Sequence, residues 1–126
     1  MTIVYQTPRL VIRQFSHQDA EFIVKLLNEP SFIENITDKG VRSINDAIDY
    51  LNTGPILSYQ RHGFGLYAVE LIDNNTLIGM CGLLKRPELS LPDLGYALLP
   101  EFWRKGYAKE AASAVLAYAK KDLNID

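Results

Sequence analysis

The sequence predicts an α/β or α+β fold in which a mostly antiparallel, mixed sheet is flanked by helices, and three observations predict it. From Phe64 the apolar pattern takes a period of two, with Leu66, Ala68, Glu70 and Ile72 on one face and Tyr67, Val69 and Leu71 on the other. Thr76 to Leu84 then returns as an antiparallel partner across the turn Asp73-Asn74-Asn75, and Asp93 to Leu99 adds a strand that is apolar on both faces. On either side of these strands the period lengthens to that of helices.

In chain order, Leu10 to Phe15 is rich in aliphatics and alternates weakly, which marks a first strand. Ser16 follows as an N-cap with Asp19 three residues on, and Ala20, Ile23, Val24 and Leu27 recur at helical spacing until Asn28-Glu29-Pro30 stops them. A second start signal, Ser43 with Asp46, precedes Ile44, Ala47, Ile48 and Leu51, and Gly54-Pro55 ends that helix. After the three strands and a loop over Lys85 to Pro92, Pro100 closes the last strand. Beyond Gly106, Ala108, Ala111, Ala112, Val115, Leu116 and Ala119 trace the apolar stripe of a third helix that packs on the sheet. The expected order is strand, two helices, three strands, helix.

The 126 residues are 48% hydrophobic, enough for one core, and no repeat or linker divides them, so residues 1–126 are expected to form a single domain. Thirteen basic residues against fifteen acidic ones, a net charge of −2, argue against nucleic acid as the principal partner. One Cys builds no disulfide framework, and Thr2, Tyr5, Gln6 and Arg9 interrupt any signal-peptide core. The longest nearly apolar run, Leu77 to Leu84, falls far short of the ~20 residues a membrane-spanning helix needs. A cytoplasmic protein without a membrane partner is expected. Between Glu101 and Lys121, however, five basic residues face two acidic ones, which suits a small anionic ligand.

That basic segment is Leu99-Pro100-Glu101-Phe102-Trp103-Arg104-Lys105-Gly106-Tyr107-Ala108-Lys109-Glu110-Ala111, running from a strand through a turn into a helix. The first N–H groups of a helix lack internal partners and sit at the positive end of its dipole, while Gly106 and Ala108 leave room for a phosphate to approach. It is neither a dinucleotide fingerprint nor a P-loop, since both need more glycines. A glycine that permits a turn, followed by merely solvated basic residues, fits the same spacing.

Four stretches together resemble the GNAT superfamily of N-acetyltransferases, in its branch related to the ribosomal-protein N-acetyltransferases RimJ and RimL. They are Thr7-Pro8-Arg9-Leu10-Val11-Ile12-Arg13, Ile78-Gly79-Met80-Cys81-Gly82-Leu83, Asp93-Leu94-Gly95-Tyr96-Ala97-Leu98, and Phe102 to Ala111. In the family's pyrophosphate pattern, Arg/Gln-x-x-Gly-x-Gly/Ala, Trp103 takes the first position and Arg104 stands where glycine is frequent. The resemblance implies an acyl-CoA N-acyltransferase fold, acetyl-CoA as co-substrate, no metal, and direct acetyl transfer to a primary amine, either a protein N-terminus or a small amine. It also implies that the Leu98-Leu99 backbone pairs with the pantetheine arm and that Arg104, Lys105, Gly106, Tyr107, Ala108 and Lys109 wrap the pyrophosphate. The competing readings are a non-catalytic acyl-CoA-binding module and a domain that binds another nucleotide, or a protein, through its basic helix start.

By the same resemblance Asp93, where the branch usually carries Glu before Ile/Leu-Gly-Tyr, is the first candidate for the general base that the attacking amine requires. A carboxylate capping the loop after Pro92 accounts for it equally well. Glu70 is the second candidate, because an apolar strand would bury it and raise its pKa, although a salt-bridged sheet carboxylate also fits. His62 is a weaker candidate; Cys81, flanked by Met80 and Gly82, reads as a core thiol, and Tyr96 and Trp103 as packing or channel-lining residues. In the family a further strand, helix and final strand follow, the last often bringing a Tyr that protonates the leaving thiolate. The chain is therefore expected to be C-terminally incomplete, covering two thirds or more of a family domain, with no residue for the general acid. An open edge beside Asp93 to Leu99 would then favour self-association into a homodimer.

Overall fold

In the computed structural model, residues 2–85 and 90–125 are described. Of the expected loop over Lys85 to Pro92, residues 86–89 lie outside them. The chain forms β1 (Ile3–Gln6), β2 (Leu10–Arg13), α1 (Ala20–Leu27), α2 (Pro30–Asn35), α3 (Ile44–Thr53), α4 (Pro55–His62), β3 (Leu66–Leu71), β4 (Leu77–Leu84), β5 (Asp93–Leu98) and α5 (Tyr107–Asp122). The strands pair in sequence order, β1-β2-β3-β4-β5, each antiparallel to its neighbours. No described helix is long and apolar enough to cross a membrane.

Three elements depart from the sequence expectations. Strand β1 was not foreseen; it pairs with β2 through a register shift between Ile3 and Tyr5, so it exists by virtue of its partner. The prolines read as stops, Pro30 and Pro55, each start a new helix, α2 and α4. Proline is tolerated at the first helical position, where its missing N–H has no intrahelical acceptor to lose. The start signals themselves hold: Ser16 and Asp19 form a capping box ahead of α1, and the Ser43 hydroxyl accepts from the Asp46 N–H at 3.1 Å.

Strand alternation sorts the core into two layers. Tyr67 and Val69 of β3, with Ile78, Cys81 and Leu98, pack against Ala111, Ala114, Val115 and Ala119 of α5. Ala68, Met80 and Leu99 face the other way, onto Ile23, Leu26 and Leu27 of α1, Phe32 of α2, and Ala47 and Leu51 of α3. In β4 a Cβ at Gly79 would lie 2.2 Å from the Ala97 carbonyl, and one at Gly82 would lie 2.1 Å from the Gly65 carbonyl, so both positions require glycine for the neighbouring backbones to fit. Strand β5 ends the sheet and has no described strand on its outer side.

Candidate functional site

The turn between β5 and α5 takes its shape from two left-handed residues. Gly106, the N-cap of α5, has φ of 82°, and Arg104 has φ of 63°, a conformation that costs a non-glycine residue of order 1 kcal/mol. No side chain caps α5, so the first-turn amides of Tyr107, Ala108 and Lys109 remain directed at the turn. A cavity of about 430 Å³ opens there, lined by Leu98, Trp103, Arg104, Gly106, Tyr107, Ala108 and Lys109 together with Tyr96 and Phe102. Six of the eight residues expected at a cofactor site line it; Lys105 sits within the turn and Leu99 does not line the cavity.

Leu99 departs from expectation for a backbone reason. Its N–H donates to the Ile78 carbonyl at 2.9 Å, its carbonyl accepts from the Phe102 N–H at 3.0 Å, and its side chain is buried against the α1 layer. By antiparallel alternation the backbone groups of Leu94, Tyr96 and Leu98 therefore turn to the open edge. The Trp103 indole N–H donates to the Leu98 carbonyl at 2.9 Å, so Trp103, expected as a packing or channel-lining residue, is half-exposed, touches that edge and lines the cavity. Of the two positions, Leu98 alone offers backbone groups outward.

A clasp that sequence reading missed holds the turn from behind. Arg9 donates through Nε to Glu110 Oε1 at 2.6 Å and through Nη1 to the Lys105 carbonyl at 3.0 Å, and its guanidinium lies 4.3 Å from the centre of the Tyr107 ring. Thr7 donates its hydroxyl to Glu110 as well. Burial acts to raise the Glu110 pKa, but the hydrogen bonds from Thr7 and Arg9 outweigh it and hold the carboxyl below its ordinary value. The only hint in the sequence is the motif Thr7-Pro8-Arg9 itself, since its partner lies 101 residues away.

A larger groove of about 710 Å³ meets the first cavity at Tyr96, which lines both and is more than half exposed. Its walls come from α2, α3, α4 and strands β3 to β5, and His62, the last residue of α4, lines it with its ring 5.7 Å from that of Phe64. Asp93 is exposed at the head of β5, opposite Leu84, and shares the sheet face of Gly95, a groove residue. From Leu98 to Asp93 the strand spans about 17 Å at ~3.4 Å per residue.

Glu70 lines neither cavity. It is 5% exposed and accepts from Arg13 Nε at 2.9 Å, while the Arg13 Nη atoms donate to both Asp19 oxygens at 2.9 and 2.8 Å. The structure thus gives Glu70 the salt-bridged sheet position. Hydrogen bonding to Asp19, against the opposing effect of burial, pushes the Arg13 pKa up. Cys81 is fully buried and burial pushes its thiol up to about 12, so it is no nucleophile at neutral pH.

Residues 9–126 match the acetyltransferase (GNAT) domain family. The chain is 29% identical over 123 residues to the uncharacterized N-acetyltransferase YoaA of Bacillus subtilis, covering 97% of this chain and 69% of that protein. A GNAT-family acetyltransferase structure from Bacillus anthracis superposes with a TM-score of 0.76 at 28% identity, over 99% of this chain and 69% of that one. The ribosomal alpha-N-protein acetyltransferase RimL, solved with coenzyme A, shares the fold at a TM-score of 0.79 and 17% identity, over 98% of this chain and 70% of that one. The chain thus spans about two thirds of the length of these relatives.

Proposed function

Because the chain belongs to the GNAT acetyltransferase family, a family of enzymes, we propose that it moves an acetyl group from acetyl-CoA to a primary amine. The observation that carries this reading is the uncapped N-terminus of α5 behind a left-handed basic turn, opening into a cavity that meets an acceptor-sized groove at Tyr96. Helix amides, the macrodipole and the charges of Arg104, Lys105 and Lys109 fit a pyrophosphate. The outward backbone of Leu98 and Tyr96 fits an extended amide-bearing arm laid along the β5 edge, which leads toward Asp93.

In this reading the acceptor amine lies in the groove and attacks the thioester carbonyl directly; an N–C bond forms, the C–S bond breaks and the thiol leaves. Asp93 takes the proton from the amine, through water where its short side chain does not reach. Of the outward N–H groups of β5, at Leu94, Tyr96 and Leu98, one that the arm leaves unpaired is the donor the strand offers to the developing oxyanion. The acceptor is a protein N-terminus or a small amine, in the manner of the RimJ/RimL branch, and the cytoplasm supplies the acetyl-CoA. Self-association through the β5 edge would compete with the cofactor for the same backbone groups, so light scattering with and without coenzyme A reports on it.

The test is Gly106→Val. A β-branched residue at φ of 82° is strained by more than the ~1–2 kcal/mol of an ordinary left-handed residue, and the new Cβ would lie 3.3 Å from Arg9 Nη2, pressing on the clasp that holds the turn, so the first-turn amides lose the arrangement that fits a phosphate. Calorimetry should show coenzyme A binding lost while circular dichroism shows the fold retained. Unchanged affinity would refute the site, and binding without thiol release on any amine would favour the non-catalytic acyl-CoA module.

A further inference from the structure

The groove that meets the cofactor cavity carries a charge pattern that acetyl transfer by itself does not demand. Its walls mix apolar side chains, Phe32, Ile36, Leu57 and Met80 among them, with polar ones such as Thr53 and Ser58. The charged and titratable cationic side chains that line it are Lys39, Arg61, His62 and Lys85, and among the described residues no Asp or Glu lines it. This holds in a chain with more carboxylates than basic groups.

Ion pairing separates the described arginines into two sets. Arg9, Arg13 and Arg42 are held by carboxylates at 2.6 to 2.9 Å. Arg61 and Arg104 make no ion pair among the described residues, and neither does Lys39. Arg104 lines the cofactor cavity, where an anion is already required, and Arg61 lines the adjoining groove. Arg61 stands in the last turn of α4, where the helix carbonyls favour a cation. That placement explains a basic residue there. It does not explain why Lys39, outside any helix, lines the same groove, or why among the described residues no carboxylate pairs with either of them.

We propose that the acceptor is a small primary amine that also carries an anionic group, a carboxylate or a phosphate, held by Arg61 and Lys39 while its amine points toward β5. This rests on the acetyl-transfer reading above. Arg61 and Lys39 are exposed and have no carboxylate partner among the described residues, so their charges add to a positive potential over the groove that attracts an anion and repels a second ammonium, most strongly at low salt. A volume of about 710 Å³ is that of a small-molecule site. Guanidinium is the group whose planar fork matches a carboxylate or phosphate in two parallel hydrogen bonds.

The test uses three matched sets of acceptors of increasing length, each an ω-amino acid, its amide and the diamine of equal chain length, with phosphoethanolamine and ethanolamine as a phosphate pair. Thiol release from acetyl-CoA is the readout. The anionic member of each set should be acetylated with kcat/KM at least tenfold above its amide, and the diamine should be slowest. Arg61→Gln and Lys39→Gln should erase that preference by raising KM for the anionic member with kcat nearly unchanged, a split that a purely structural role for Arg61 would not produce. The phosphate pair and the carboxylate sets together say which anion is preferred. Amides or diamines used as well as the acids, turnover confined to peptide N-termini, or coenzyme A binding with no turnover of any anionic amine would each overturn the acceptor assignment. A wild-type protein whose melting temperature does not respond to coenzyme A would instead overturn the acetyl-CoA reading itself.

Discussion

Replacing Arg13 separates the two accounts of Glu70, as a residue of the chemistry and as a residue of the core. Arg13 is 6% exposed and satisfies two carboxylates, Asp19 and Glu70, that are themselves 6% and 5% exposed. Arg13→Met keeps the aliphatic stem but removes the guanidinium and strands both carboxylates in the sheet layer. Stranding buried charge in this way costs about 3–5 kcal/mol. With an unfolding entropy of roughly 2.1 cal/mol/K per residue, 126 residues give about 0.26 kcal/mol/K, so the melting temperature should fall by about 11–19 °C. Glu70→Gln is milder, because its amide oxygen still accepts from Arg13 Nε and Asp19 still neutralises the guanidinium; a loss of about 1–2 kcal/mol, or roughly 4–8 °C, is expected. Thermal unfolding by circular dichroism measures both, and acetyl transfer well below each melting point measures the chemistry. Glu70→Gln should keep the wild-type kcat. A rate loss of about 10² with an unshifted melting temperature would make Glu70 the base instead, and an Arg13→Met variant as stable as wild type would refute the buried cluster's energetic role.

Asp93→Asn should cut the acetyl-transfer rate by about 10² or more while coenzyme A affinity holds; an undiminished rate across the pH range would pass the proton to His62 or bulk water. Cys81, with its thiol pushed up to about 12 by burial, should resist a thiol reagent at about pH 8 until the protein unfolds, and prompt labelling of the folded protein would refute its packing. Glu110, whose folded pKa lies below its unfolded one, contributes stability that is present above the unfolded value and lost as pH falls through the folded value. The clasp's contribution to stability should therefore stay level between about pH 5 and 8, and Glu110→Gln should lower the melting temperature throughout that window; a variant as stable as the wild type there would refute the clasp.

What the sequence determined by itself is what acts between near neighbours. The period-two pattern of β3 placed Tyr67 and Val69 opposite Ala68 and Glu70, and the Ser16–Asp19 and Ser43–Asp46 signals started α1 and α3, because capping and alternation are decided within three or four residues. Gly106 was legible for the same reason, since a helix N-terminus behind a glycine needs no distant partner to direct its amides. Local signals were ambiguous at Pro30 and Pro55, where the same residue ends one helix and opens another. The rest required the folded chain. Strand β1 is held by pairing with β2, Leu99 turns inward because Ile78 takes its N–H, and Trp103 reaches back to the Leu98 carbonyl. Arg13 meets Glu70 across 57 residues and Arg9 meets Glu110 across 101, so which carboxylate is spoken for, and which cation is left to face the groove, depends on contacts that exist only once the sheet has closed and burial has made every unmatched charge costly.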